Sequence, residues 1–270
     1  MSNLERLEPR RLCAAAPVEA GSGPPPQVAD VYVSGSAWSQ DFKNVLEAQR
    51  TGSAAFGRRL TPGLASIQPW VNLNRFTLRL SYDMVVKAED LRVRGVTSPT
   101  YAVASVETTF DPRLYVTTAT FTLAGDGLSR PENLRVELEG DAGGVHSREG
   151  FMLDGDRDGT PGGDFVFRFG ILPGDATRGS YVNTTDLSIV RRKLGTSVTR
   201  TRTVAPYYTT SDDFNADGRI NATDLMIVRS RLGTYSPSTE PAATASAPIS
   251  TPVRTRPGAR ELFGSTPILA

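Results

Sequence analysis

Asp213, Asn215, Asp217, Asn221 and Asp224 stand at positions 1, 3, 5, 9 and 12 of one twelve-residue stretch. Calcium is a hard cation that takes six to eight oxygens at about 2.3–2.6 Å, and a twelve-residue loop wraps it with side-chain oxygens at those five positions and a backbone carbonyl at position 7. Arg219, at position 7, offers only that carbonyl. Gly218 stands at position 6, where the chain turns sharply and the lack of a Cβ admits positive φ. Ile220, at position 8, is apolar and is expected to point into a core. The spacing therefore predicts a Ca2+ site made by Asp213, Asn215, Asp217, Arg219, Asn221 and Asp224. Position 12 is Asp rather than the longer Glu of an EF-hand, so the helix that enters a full EF-hand is not required.

The same pattern occurs 38 residues earlier in weaker form. Asp175, Thr177, Asn183 and Asp186 hold positions 1, 3, 9 and 12, with Val182 at position 8. Gly179 and Ser180 replace the carboxylate of position 5 and the glycine of position 6. Two carboxylates in place of three weaken calcium binding, and the alternative for this loop is a hydrogen-bonded turn kept for packing. Each loop runs into a helical pattern. Leu187, Val190 and Leu194 precede Gly195, and Leu225, Val228 and Leu232 precede Gly233, each set sharing one helical face and ending at a glycine stop. Such self-similarity marks a duplicated unit whose two faces can pack on each other. About 60 residues make a small core, so bound metal is expected to supply much of its order. A third acidic run, Asp154, Asp156 and Asp158 followed by Gly159, has carboxylates at alternate positions like the first half of a calcium loop. Its position 12 is Phe165, which cannot ligate, although Asp164 stands beside it. A metal there is expected to staple the preceding domain to the repeat unit, and the alternative is a solvated acidic turn.

The paired units, with Asp at position 12 followed by Leu and a closing Leu-Gly, resemble type I dockerin domains. Dockerins bind cohesins and plug proteins onto scaffolds. The resemblance implies protein docking, with contacts at loop positions 10 and 11, which are Thr184 and Thr185 in the first unit and Ala222 and Thr223 in the second. Because the pairs differ, the two faces are not expected to be interchangeable. The partners implied are a cohesin-like or other envelope protein, with an extracellular polysaccharide as a further possibility.

Seven runs upstream read as strands. Val28 to Val33 is short and β-prone. Phe76, Leu78 and Leu80 alternate with polar residues, as do Leu91 and Val93, Leu134, Val136 and Leu138, and Phe165, Phe167 and Phe169. Tyr101 to Phe110 and Leu114 to Leu123 are split by the turn dipeptide Asp111-Pro112. One helix is expected over Gln40 to Gln49, with Phe42, Val45, Leu46 and Gln49 on a shared face. This layout, with Trp70 to Asn74 leading into a strand, is similar to a bacterial Ig-like module. The fold class expected is thus mainly β with a small α domain: an antiparallel Ig-like β-sandwich over 27–171, then the dockerin-like unit over 172–234. Residues 1–26 read as a sorting tag and linker. Leu7-Glu8-Pro9-Arg10-Arg11-Leu12 resembles the N-terminal tag of planctomycete surface and secreted proteins, with Cys13 in place of its second Leu, and this implies sorting to the envelope or exterior. Composition alone makes the segment a weak export signal. Residues 235–270, rich in Pro, Ser, Thr and Ala, are expected to be disordered, with Glu261-Leu262-Phe263 as a minor docking candidate.

Composition removes several functions. Lys and Arg number 30 against 29 Asp and Glu, a net charge of +1, which argues against a general electrostatic grip on nucleic acid or anionic lipid. One Cys and one His leave no internal disulfide, no ordinary zinc site and no Cys-His pair. His146 sits in a Gly-rich stretch and reads as an exposed loop residue. No run of eighteen apolar residues exists, so no transmembrane helix is expected. A glycoside hydrolase needs two carboxylates about 5–9.5 Å apart across a cleft. Glu107, Asp111, Glu137 and Glu139 are available, but strand-face carboxylates at period two are usually just solvated, and catalysis is not expected. The leading expectation is a non-catalytic, exported calcium-binding module for docking or cell-surface adhesion. The alternative is an accessory component of extracellular polysaccharide degradation, tethered to a glycoside hydrolase system.

Overall fold

A computed structural model describes residues 23–61, 66–199 and 205–241. Leu7 to Cys13 and Glu261 to Phe263 lie outside the described residues. In chain order the strands are β1 (Val28–Ser34), β2 (Gly52–Ser53), β3 (Gly57–Leu60), β4 (Ile67–Gln68), β5 (Arg75–Ser81), β6 (Met84–Val85) and β7 (Leu91–Gly95). They continue with β8 (Val103–Asp111), β9 (Val116–Leu123), β10 (Glu132–Leu138), β11 (His146–Ser147), β12 (Phe165–Ile171), β13 (Thr196–Ser197) and β14 (Arg219–Ile220). Among the described residues three α-helices join them: α1 (Gln40–Ala48), α2 (Thr184–Lys193) and α3 (Ala222–Arg231).

All seven runs become strands. One sheet has the order β2-β3-β1-β5-β9-β8 and the other β4-β12-β10-β7. Pairing within them is antiparallel except between β4 and β12. The period-two pattern explains the two layers, because each strand sends alternate residues to one face. Along β9 buried and half-buried residues alternate without a break. The inner faces meet where Phe76 of β5 lies 6.3 Å and 6.0 Å, ring to ring, from Phe167 and Phe169 of β12. Thr-rich β8 at the sheet edge stays largely exposed.

The segment between β1 and β5 supplies α1. Ser39 caps it, its hydroxyl accepting the Phe42 N–H at 3.1 Å. Phe42 and Leu46, one turn apart, are its buried residues. Gln49 is the C-cap and is exposed, so it does not share the apolar face as expected. Phe42, Trp38 and Trp70 form a triangle of edge-on rings 5.1–5.8 Å apart.

The repeat unit packs against this triangle. Trp70, 0% exposed, donates its indole N–H to the Thr210 carbonyl at 2.9 Å. The backbone N–H of Val71 bonds to Phe214 O, and that of Ser39 to Ala216 O, both at 2.9 Å. Within the unit, Leu172, Val182, Val190, Phe214, Ile220 and Val228 form a small core. Leu194 and Leu232, expected on the inner helix face, are 38% and 41% exposed. The helices end at Lys193 and Arg231, and these leucines already have extended backbone, which turns them off the helical stripe.

The tail expected to be disordered from residue 235 begins as ordered chain. Asn133 donates its amide to the carbonyls of Pro237 at 2.6 Å and Thr239 at 3.1 Å, and Arg168 pairs with Glu240 at 3.1 Å. These partners lie far away in sequence, so composition could not reveal them.

Candidate functional site

Loop two, 213–224, is assembled by hydrogen bonds among the residues that the spacing singled out. Asn221 caps α3: its side chain accepts the Thr223 N–H at 2.7 Å, while Asp224 Oδ2 accepts the Asn221 N–H at 2.8 Å. This reciprocal capping box starts the helix and fixes positions 9 and 12 together. The other Asp224 oxygen accepts the Phe214 N–H at 2.8 Å, closing the loop. Asp213 Oδ1 accepts the Asp217 N–H at 3.2 Å, and its Oδ2 accepts from Gly218 N at 2.8 Å and the Tyr208 hydroxyl at 2.6 Å. Asp217 Oδ2 accepts from the amides of Asn215 and Asn221, both at 3.0 Å. Positions 1, 3, 5, 9 and 12 are therefore one connected group. Gly218 has φ +87°, and a Cβ there would lie 3.2 Å from Val198, which accounts for glycine at position 6.

Asp213 and Asp224 are fully buried. Burial pushes Asp213 up to about 7; the Tyr208 hydroxyl pulls it back, and the charges of Asp224 and Asp217 add to the rise. Burial likewise lifts Asp224 to about 6, against the pull of the Asn221 and Phe214 N–H groups. Tyr208 is raised by its own burial and by the Asp213 charge, so it remains a phenol that donates to Asp213. Tyr208 is a supporting residue that sequence reasoning missed. Its counterpart 38 residues earlier is Gly170, so the repeat could not point to it.

Loop one, 175–186, closes differently. Asn183 and Asp186 form the same capping box on α2. Asp175 accepts from Gly179 N at 3.0 Å and Ser180 N at 2.9 Å. Between positions 1 and 12 lies the Thr177 hydroxyl, 3.1 Å from Asp175 Oδ1 and 2.9 Å from Asp186 Oδ1. It can donate its single proton to one of them at a time. The Thr177 backbone N–H also donates to Asp186 Oδ1, at 2.9 Å, so the hydroxyl is free to donate to Asp175 and Thr177 as a whole links the two ends of the loop.

The two halves close on each other by matched bonds. Gly195 N bonds to Ile220 O and Gly233 N to Val182 O, both at 2.9 Å. Arg219 pairs with Ser197, and Tyr181 with Tyr235. Every residue in one set lies 38 positions from its counterpart in the other, so the sequence repeat is a structural two-fold. Thr184 and Thr185 at the start of α2, and Ala222 and Thr223 at the start of α3, are all exposed.

Asp154, Asp156 and Asp158 offer carboxylate oxygens within 4.8 Å of one another. Asp154 is buried and the other two are exposed. This loop does not reach the repeat unit as expected. The Asp154 N–H instead bonds to Pro26 O at 2.8 Å, and Gln27 Nε2 bonds to Asp154 Oδ2 at 2.7 Å. The antiparallel return of β12 places the loop beside the start of β1, not beside the helices. His146 is in β11, not in an exposed loop; it is half-buried, and its Nδ1 lies 2.8 Å from Gly144 O. Glu107 and Asp111 are exposed along β8. Glu137 is paired with Arg135 at 2.5 Å, and Glu139 with Arg92.

Residues 173–233 match the family model of the dockerin type I domain. The C-terminal unit is a type I dockerin domain. No curated protein and no solved structure matches the chain. Dockerin domains are protein-docking modules that bind calcium and recognise cohesins, so the dockerin here gives the chain a docking unit with a protein partner. Among the described residues no helix is long and apolar enough to cross a membrane.

Proposed function

We propose that this chain is an exported, non-catalytic docking module whose dockerin holds calcium in loop two and offers its helix faces to a protein partner. The observation that carries this reading is the connected group of Asp213, Asn215, Asp217, Asn221 and Asp224 inside a dockerin match. Those side chains, with the Arg219 carbonyl, are all oxygen donors, the set that suits a hard cation. Bound calcium would supply positive charge to a loop that buries two carboxylates. Loop one, with Asp175, Thr177, Asn183 and Asp186, is the weaker site, because it has one carboxylate fewer and Thr177 already joins its ends through its hydroxyl and N–H.

The docking surface is the exposed start of each helix. Around α2 it is polar, with Thr184, Thr185 and Arg191; around α3 it carries Ala222, Thr223 and Met226, the last 66% exposed. A partner that fits the apolar face does not fit the polar one equally. The Ig-like reading of the sandwich is supported by strand order. The runs β1-β5-β9-β8 and β7-β10-β12, lettered A to G in chain order, give ABED facing CFG, the arrangement of an immunoglobulin constant-type domain. Export is supported by the tag-like residues Leu7 to Leu12, and the absence of catalysis by the exposure or ion pairing of the four strand carboxylates.

Affinity capture from an envelope extract, with the full chain as bait, tests the proposal. Capture of a protein in calcium but not in chelator is expected, lost in Asp224→Asn and weakened more by Thr223→Arg than by Thr185→Arg. Capture indifferent to chelator and to all three substitutions sinks it. A captured glycosidase would select the polysaccharide-degrading role over adhesion.

A further inference from the structure

We infer that the sandwich carries its own calcium site at Asp154, Asp156 and Asp158, and that an ion there clamps the incoming N-terminal segment onto the sandwich. The inference does not rest on the dockerin loops. Two oxygens on one calcium ion, each about 2.4 Å from it, can be at most about 4.8 Å apart. Three carboxylate oxygens here meet that limit. Positive φ at Arg157 (63°) and Gly159 (90°) folds the chain so that these alternate side chains converge.

A second observation points to a cation as the ligand. Asp154 is 0% exposed, its Oδ2 accepts from Gln27 Nε2 at 2.7 Å and Gly159 N at 3.3 Å, and its buried Oδ1 has no hydrogen-bond partner. A buried carboxylate oxygen left without a donor or a cation is costly. Among the described residues no Lys or Arg pairs with any of the three aspartates. Arg157, in their midst, turns away and donates to the Val28 carbonyl. Asp156 Oδ1 and Asp158 Oδ1 accept only backbone N–H groups, from Asp158 at 3.3 Å and Thr160 at 2.7 Å, so the carboxylates keep free lone pairs. The cluster has oxygen donors only, and three carboxylates on one loop suit calcium, which tolerates irregular geometry, better than magnesium, which demands a near-ideal octahedron and keeps most of its waters.

The neighbours say what the ion would do. Asp154 holds Pro26 through its N–H and Gln27 through its carboxylate, and Arg157 holds Val28. Gly159 and Pro161 line a cleft shared with Gly23, Pro24 and Pro25. Ordering the loop therefore orders the path by which the chain reaches β1, and the angle at which anything N-terminal leaves the sandwich becomes calcium-dependent.

Calorimetric titration of the full chain with calcium, alongside peptide-resolved hydrogen exchange, tests this. Asp156→Asn/Asp158→Asn, both exposed positions, is expected to bind one ion fewer per chain than wild type. Asp213→Asn loses binding elsewhere and keeps this site. In wild type, at calcium about a hundred times its Kd, opening of residues 155–163 is expected to fall about a hundredfold, with slower exchange also at 24–30 and with magnesium much less effective. Unchanged stoichiometry in the folded double variant overturns the proposal. Exchange at 155–163 that is indifferent to calcium in wild type overturns it too, and that readout needs no variant. Failure of the dockerin loops alone to bind leaves these readouts in place, so the two readings fail separately.

Discussion

The two dockerin loops share a register, a capping box and a partner segment, yet they are held shut by different means. Both loops bury the carboxylates of positions 1 and 12; loop two adds the exposed Asp217, and its turn is joined to the sandwich through Ala216 and Phe214. Loop one has only the two, joined through the hydroxyl and the backbone N–H of Thr177. The difference shows what a degraded binding loop becomes. When the ligand at position 5 goes, a short polar side chain at position 3 can hold positions 1 and 12 together, and the fold survives with less charge to neutralise. Under the proposed function, loop two gains most from a cation and loop one gains less.

The largest expected effect tests whether loop two leans on the sandwich. Trp70→Ala removes the indole that holds Thr210 and is expected to cost about 3–5 kcal/mol. Denaturant unfolding checks the cost, and calcium titration of the same variant is expected to show loop two weakened. An unaltered calcium affinity would mean that the loop stands alone.

Calcium itself gives the next effect. At a hundredfold excess over its Kd, an ion stabilises the fold by about 2.7 kcal/mol. Asp224→Asn is expected to lose that gain, and Asp186→Asn to keep most of it, as read by melting with and without chelator. The same melts carry a pH signature. Asp213, raised to about 7, and Asp224, raised to about 6, sit above their ordinary value of 3.8 in the ion-free loop. Between those values the folded chain holds protons that the unfolded chain has released, so stability in chelator falls as pH rises from about 4 to about 7. Calcium displaces those protons, and its stabilising effect grows over the same interval. A flat profile in chelator would remove the strained, cation-seeking loop from the comparison.

The smallest effect concerns position 6. Ser180 has φ +64° where loop two has Gly218. Ser180→Gly relieves left-handed strain and is expected to stabilise the fold by about 1 kcal/mol, measured by denaturant unfolding. Gly218→Ala is expected to act in the opposite sense.

Much of this was legible in the residues. Alternation placed four of the seven major strands, because a half-buried strand must send every second side chain to the core; β-prone composition and the Asp111-Pro112 turn placed the other three. The 38-residue repeat placed both helices, because apolar residues at helical spacing and a closing glycine mark each one; their starts, capped by Asn183 and Asn221, came from the structure. The hydrogen-bonded group of loop two followed the spacing, since a twelve-residue turn brings those positions into contact. Tertiary structure decided what no local pattern encodes. Tyr208 acts on Asp213 only because burial forces both into one space. Trp70 meets Thr210 across 140 positions. Leu194 and Leu232 left the helical stripe because the backbone stops being helical one residue before them. The Asp154 loop reaches Pro26 and Gln27 instead of the repeat unit because strand order, which no local pattern encodes, sets it beside β1. Short-range spacing set which oxygen-bearing side chains each loop brings together; long-range packing set which of them are buried, because burial depends on elements remote in sequence.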